Sequence, residues 1–181
     1  RLSMMTQARD RFGLAWAWQD LGLVAHMRQD YLQMELMYQN AYQVMEEIGA
    51  RLDMLRCLRL VAVAVLHQGD AWRAGRLLAD FISRARATGD PVGLATCPLQ
   101  WAGVALAKGE PGVATQCLAA VDAGKLRLGF ELYKDDHQDF SSYLEACRQQ
   151  LSPEAFATAW QAGTEQDLES LLDDIVVQFG G

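Results

Sequence analysis

Two stretches of this 181-residue chain share one pattern of residues: LHQGDAWRAGRLL at residues 66–78 and LAKGEPGVATQCL at residues 106–118. Both stretches place Gly before an acidic residue, Ala four positions after the acid and Leu four positions after the Ala. Side chains four positions apart lie on one face of a helix. The two copies therefore predict the same event twice, a turn followed by a helix that packs through the same face.

The forty-residue distance between the two copies recurs over most of the chain. Two markers recur at this spacing in one register: Asp30, Asp70 and Glu110 for the acid, and Gly49, Gly89 and Gly129 for a glycine. The register predicts repeats at 10–49, 50–89 and 90–129, with 1–9 aligned to the end of a second helix at 81–89. We therefore expect the chain to begin inside a preceding repeat of a longer protein.

Each repeat divides at its acid into two apolar-periodic stretches of about 18 residues, which predicts a helical hairpin. Gly69 and Gly109 are expected to end first helices with positive φ, and the acid favours the positive end of the next helix. Ala74 and Ala114 predict close helix approach, whereas the larger side chains of the first repeat predict a wider separation. Those larger side chains are Met34 and Tyr38, where later repeats have Ala and Leu.

After residue 129 the register fades, and the sequence predicts a helix at roughly 136–151. Ser152-Pro153-Glu154 is a helix start with an N-cap and proline at N1. Thr164 with Asp167 resembles a capping box that opens a final amphipathic helix. The predicted fold is all-α: a right-handed superhelical array of helix hairpins over 1–129, with the helices of 130–181 packing on the last repeat.

The composition indicates a soluble cytoplasmic protein with a sizeable core. Apolar residues make up 51% of the chain, yet no apolar run reaches the roughly 18–20 residues of a membrane span. The four cysteines lack CxxC spacing and are expected to be buried reduced thiols. Cys57 and Cys97 occupy equivalent positions of adjacent repeats, so we expect them roughly 8–10 Å apart or more, beyond disulfide reach.

Charge is distributed unevenly. Residues 1–129 hold 14 Lys or Arg against 12 Asp or Glu, whereas residues 130–181 hold 2 against 11, which together give the net charge of −7. The acidic third repels nucleic acid and the remainder has no basic excess to attract it. Direct contact with nucleic acid is therefore not expected.

Two longer segments resemble a known family. They are ATGDPVGLATCPLQWAGVALAKGEPGVA at 87–114 and YLEACRQQLSPEAFATAWQAGTEQDLESLLDDIV at 143–176. Together with the Gly-acid turns, they resemble the tetratricopeptide-like C-terminal region of large bacterial ATP-dependent transcriptional regulators of the MalT-like and LuxR-type kind. The resemblance covers nearly the whole chain, although Ser152-Pro153 stands where that family often has Gly-Glu. It implies that the array senses an effector or holds a partner, while other domains hydrolyse ATP or bind DNA.

Comparison of the repeats separates a core from a variable stripe. Leu14, Met54 and Leu94 correspond, as do Leu21, Val61 and Trp101, and these are predicted core positions. Variable columns at i, i+4, i+7 and i+11 of the first helices form one stripe, which stacked hairpins usually place on their concave face. The predicted partner-binding residues of this stripe are Trp16, Asp20, Met27, Arg56, Leu60, His67, Thr96 and Gln100. A tolerant solvated face would give the same variability.

No catalytic or cofactor motif is present. The sequence lacks a GxxxxGK[ST] loop, a Ser-His-Asp or Cys-His arrangement and paired carboxylates suited to acid-base work. The acidic run around His137 fits the positive end of a helix better than a metal site, and His26 and His67 are expected in core or capping roles. That run comprises Asp135, Asp136, His137 and Asp139. Pro98 is expected to kink its helix.

We therefore expect a non-catalytic helical repeat module of a bacterial transcriptional or signalling regulator, without cofactor. Its partner would be a protein segment or another domain of the parent chain. The apolar groups of the first repeat, including Trp16 and Met27, suit a partner helix but would equally suit contact with a preceding repeat. The alternative is a sensor in which a small-molecule effector sits between repeats.

Overall fold

The computed structural model describes residues 2–179, with side chains from residue 10 onward. Over these residues the chain is all-helical and no strand occurs, as predicted. The helices are α1 (Leu2–Met27), α2 (Tyr31–Glu47), α3 (Arg51–His67), α4 (Ala71–Thr88), α5 (Pro91–Ala107), α6 (Pro111–Leu128), α7 (Lys134–Gln150), α8 (Pro153–Glu165) and α9 (Leu168–Phe179).

The predicted turns lie where the sequence placed them. Gly69 and Gly109 have φ of 90° and 77°, and the glycines that close the second helices also have positive φ. A residue without Cβ adopts this left-handed conformation at little cost. The first repeat makes the same turn with Gln29, forty residues before Gly69, at φ 59°. The turn geometry is thus kept even where the favoured residue is missing.

The acidic residues cap the helices that follow them. Asp30 accepts a hydrogen bond from the backbone N of Gln33 at 3.1 Å, and Asp70 accepts one from the backbone N of Arg73 at 2.9 Å. Glu110 occupies the N-cap of α6 without a side-chain hydrogen bond. Its carboxylate instead forms an ion pair with the Lys108 ammonium at 3.2 Å.

The helix boundaries differ from the sequence-based expectation at two places. Residues 2–9 continue into α1 without a break, because position 9 is Arg where the equivalent positions carry the glycines that end α2 and α4. Thr164 does not cap α9. Its hydroxyl donates to the Trp160 carbonyl inside α8, and Asp167 caps α9 by accepting from the Ser170 backbone N and hydroxyl at 3.0 Å.

The chain divides into two compact units, 1–77 and 78–181, with the boundary inside α4. In the first unit, α2 packs against both α1 and α3. Tyr38 of α2 is buried against Gly22 of α1, where an added Cβ would lie 2.8 Å from the Tyr38 ring. The missing side chain of Gly22 therefore makes room for the large residue that the first repeat has in place of Leu.

In the second unit, α5 packs on α6, and α7, α8 and α9 surround this hairpin. α8 lies along α6 so closely that a Cβ on Gly163 would be 2.1 Å from the Gln116 carbonyl oxygen. Phe179 of α9 meets Trp101 edge-on, with ring centroids 5.2 Å apart. α5 continues through Pro98, and the kink expected there stays a prediction.

Candidate binding surfaces

The predicted stripe is exposed mainly on α1. Trp16, Asp20 and Met27 are all exposed there. On α3, Arg56 is half-buried and its Nη1 donates to Gln19 Oε1 at 3.2 Å, while Leu60 is buried. Only the α1 portion of the stripe in this unit therefore presents side chains freely to a partner.

The stripe residues of the second unit are buried. Thr96 donates to the Gly93 carbonyl at 3.0 Å, and Gln100 Nε2 donates to Asp136 Oδ1 at 3.3 Å. Both side chains fall within the core. These positions carry different residues in the other repeats because their neighbours differ. Asp136, the partner of Gln100, belongs to α7, which lies outside the repeat register. As they stand, these two residues do not form a binding surface.

The predicted core columns are buried in the third repeat, are buried at Val61 but only half-buried at Met54 in the second, and fail in the first. Val61 and Trp101 are 3% and 4% exposed, whereas Leu14 and Leu21 are 49% and 50% exposed. α1 packs on α2 and Gln19 of α1 also bonds to Arg56 of α3, but these contacts leave both leucines about half exposed. Core positions that need a helix on both sides are consequently only half covered in α1.

Leu14 and Leu21 belong to a larger surface on α1. We define the edge face as Leu14, Leu21, Val24 and Arg28. Val24 is 42% exposed and Arg28 is exposed. The last three lie at i, i+3 and i+7, which places them along one side of the helix. The edge face is therefore an apolar strip with a cation at its C-terminal end.

The residues of α3 equivalent to the edge face show what such a strip contacts. Gln68, the equivalent of Arg28, donates to the Tyr31 carbonyl at 3.2 Å and to Glu35 Oε2 at 2.8 Å, both on α2. Val61 and Ala64 precede Gln68 by seven and four positions, on the same side of α3, and both are buried. In α3 this side therefore packs on a second helix.

Glu35 is the centre of the polar contacts between α2 and α3. It accepts hydrogen bonds from Gln39 and Gln68 at 2.8 Å and forms an ion pair with Arg73. Burial alone would raise the pKa of Glu35, but the hydrogen bonds from Arg73 and Gln68 outweigh it and the pKa is lowered. The carboxylate therefore stays charged while largely buried.

A separate groove lies along α8, next to Arg148 of α7. It has a volume of about 560 Å³, and Arg148, Phe156, Trp160, Thr164 and Glu165 contribute to its lining. The two aromatic rings stack with centroids 5.8 Å apart, and the Arg148 guanidinium lies 5.4 Å from the centroid of the Phe156 ring. This is an open, mixed aromatic and charged groove, which the sequence analysis did not identify.

The cysteines are free and buried, as predicted. Burial raises the pKa of the Cys57 thiol to about 12. Burial, with the nearby thiols of Cys97 and Cys147, also raises the pKa of Cys117. Because nucleophilic and metal-ligating cysteines act as thiolates, neither Cys57 nor Cys117 suits that chemistry at neutral pH.

The acidic run at the start of α7 is partly internal. Asp136 and Asp139 are buried, and Asp135 is half-buried in the first turn of the helix. In the other unit, His26 and His67 lie together with ring centroids 6.0 Å apart, and Tyr31 stacks on His67 at 4.5 Å. In the repeat register His67 is equivalent to Met27, the residue that follows His26. The proximity of the two histidines could have been predicted from this near-equivalence.

Among residues 2–179, no helix combines the length and apolar content needed to cross a membrane. No protein-family model, curated protein or solved structure matches the chain.

Proposed function

We propose that the chain is a non-catalytic helical repeat module that binds an amphipathic helix on the edge face of α1. The observation that carries the proposal is the exposure of Leu14, Leu21 and Val24, at 49%, 50% and 42%. Large apolar side chains aligned on one side of a helix are typical of helix-binding surfaces. The occupant comes either from another domain of the parent chain or from a separate protein.

The contact between α2 and α3 supplies the template for this interaction. Val61 and Ala64 of α3 are buried on the side whose Gln68 hydrogen-bonds to α2. Their equivalents on α1 are Leu21 and Val24. A helix with the character of α2 therefore fits the edge face, with its apolar side chains on Leu21 and Val24.

The charge of Arg28 adds a preference for an acidic partner helix to the apolar contact. Gln68 of α3 meets the carboxylate of Glu35, and the edge face places Arg28 at the equivalent position. A guanidinium forms stronger, charge-assisted hydrogen bonds with a carboxylate than an amide does. The partner helix is thus expected to carry an acidic residue facing Arg28.

The resemblance to MalT-like and LuxR-type regulators suggests the setting for this module. In that setting the hairpins form a right-handed tetratricopeptide-like superhelix in a cytoplasmic bacterial transcriptional or signalling regulator. ATP hydrolysis and DNA binding would belong to other domains, and the net charge of −7 agrees with a module that does not contact nucleic acid. Binding a helix at the edge of the array would couple it to those domains.

The probe that tests the proposal is a fluorescent peptide of residues 31–47, the sequence of α2. Added to the whole chain, it is expected to bind with an increase in anisotropy, whereas a scrambled peptide does not. Leu21→Glu and Arg28→Glu should each weaken binding by about tenfold or more, which corresponds to about 1.4 kcal/mol. Leu126→Glu, at an exposed leucine of α6, is the matched control and should leave binding unchanged.

Equal loss in Leu21→Glu and Leu126→Glu would refute the edge face as the binding surface. If the peptide binds, a fusion carrying further domains of the parent chain identifies the source of the natural helix. Weaker peptide binding by the fusion indicates an occupant within the parent chain, and unchanged binding indicates a separate protein.

The groove along α8 favours a second candidate function, small-molecule effector sensing. Its volume of about 560 Å³ lies in the range of ligand sites, and Trp160, Arg148 and Glu165 offer stacking and both charges. A thermal-shift screen with metabolites tests this function. A compound that raises the melting temperature of the wild type but not of Trp160→Ala would support it, and equal stabilisation of both would refute the groove as its site.

A further inference from the structure

Two histidines from different repeats meet at one end of the first unit. His26 lies in the last turn of α1, and His67 is the last residue of α3. Their ring centroids are 6.0 Å apart, and a ring nitrogen of one lies within 4.8 Å of a ring nitrogen of the other. Both side chains are half-buried. Two imidazoles are thus held close together by packed helices.

The spacing is close to that of two ligands on one ion. A metal ion bound at about 2.1 Å from each nitrogen keeps the two nitrogens about 3–4 Å apart. The two nitrogens therefore need to approach each other by no more than about 1–2 Å. Neutral imidazole is a preferred ligand of Zn²⁺, Ni²⁺ and Cu²⁺, whereas Mg²⁺ and Ca²⁺ prefer oxygen.

The surroundings of the pair also favour a cation. His26 and His67 both lie in the last turns of their helices, where the carbonyl groups give a partial negative charge. Tyr31 stacks on His67 with an interplanar angle of 10° and a centroid distance of 4.5 Å, and it lies 6.2 Å from His26. This stacking restricts the His67 ring and so reduces the entropy lost when a ligand binds.

We propose that His26 and His67 form a binding site for one transition-metal ion of the Zn²⁺, Ni²⁺ or Cu²⁺ class. The ion joins the end of α1 to the end of α3 and so links two successive repeats of the first unit. The sequence alone assigned both histidines to core or capping roles. The site is independent of the edge face and of the partner proposed for it.

Titration calorimetry of the whole, chelator-treated chain with zinc chloride tests the site. One ion is expected to bind per chain with micromolar affinity. His26→Gln and His67→Gln should each weaken binding by at least about tenfold. His137→Gln is the matched control, because His137 is the remaining histidine of the chain and lies in the other unit. Its affinity should equal that of the wild type, and magnesium chloride should give no such binding.

Absence of one-to-one binding by the wild type would overturn the proposal. So would retention of the wild-type affinity in either His26→Gln or His67→Gln, or an equal loss in His137→Gln. Circular dichroism of each variant establishes that it is folded. A second measurement needs no variant: electron paramagnetic resonance of the Cu²⁺-loaded wild type should show coupling to two imidazole nitrogens. Coupling to one nitrogen or none would contradict the site.

Discussion

Substitution of Gly163 by alanine tests how α8 is held on the last hairpin. Gly163 is buried, and a Cβ there would lie 2.1 Å from the Gln116 carbonyl oxygen and 2.6 Å from its Cα. Both atoms belong to the backbone of α6, so no side chain can rotate away to make space. Gly163→Ala must instead push α8 outward and loosen its contact with α6.

The expected cost follows from two opposing effects. Overpacking of a tight contact costs about 3 kcal/mol at the upper end of its usual range, and alanine in a helix regains about 1 kcal/mol over glycine. The net loss of about 2 kcal/mol should lower the melting temperature by about 4–8 °C in a chain of this size. Scanning calorimetry measures this change.

Gly112→Ala is the matched control for Gly163→Ala. Gly112 lies in the first turn of α6, and a Cβ added there would meet no atom within 4 Å. Its melting temperature should be unchanged or slightly raised. An equal rise in Gly163→Ala would refute the close packing of α8 on α6.

Three further perturbations concern the first unit. Gln29→Gly should raise stability by about 0.5–1 kcal/mol in chemical denaturation, because glycine removes the cost of a left-handed residue; a loss of stability would contradict that turn. Gly22→Ala should destabilise the chain by about 1–2 kcal/mol through the clash with Tyr38, while Gly13→Ala, with open space around it, should not. Because folding lowers the pKa of Glu35, its carboxylate stabilises the chain above the unfolded pKa of about 4.3. The wild type should therefore be more stable than Glu35→Gln by about 1–2 kcal/mol at neutral pH, and this difference in stability should vanish in melting experiments towards pH 3. A difference that stays constant with pH would contradict this role of Glu35.

The hairpins could be predicted from the sequence because each signal for them is local. Gly69 and Asp70 mark one turn, and the following helix needs only residues within its own repeat. The same reasoning failed for Arg9, where the register suggested a helix end but no glycine was present to make one. It also missed Gln29, whose positive φ is imposed by the two flanking helices against the preference of the residue.

The candidate sites were less predictable because they depend on contacts between repeats and beyond them. Gln100 is buried through its bond to Asp136, which lies outside the repeats, so column variability could not reveal its environment. Leu21 was assigned to the core by analogy with Val61, but α3 packs on α2 and buries Val61, whereas Leu21 is 50% exposed. The pairing of His26 with His67 required the relative positions of α1 and α3.

Hydrogen exchange of the whole chain with and without the peptide of residues 31–47 tests whether the edge face of α1 binds a helix. Amides of an edge helix that is covered on one side open more readily than those of a core helix. We predict that the peptide slows exchange in residues 10–27, which contain the edge face, and leaves α7 and α8 unchanged. Unchanged exchange in 10–27 at a peptide concentration that saturates binding, or protection confined to α7 and α8, would contradict the claim that the edge face of α1 binds a helix.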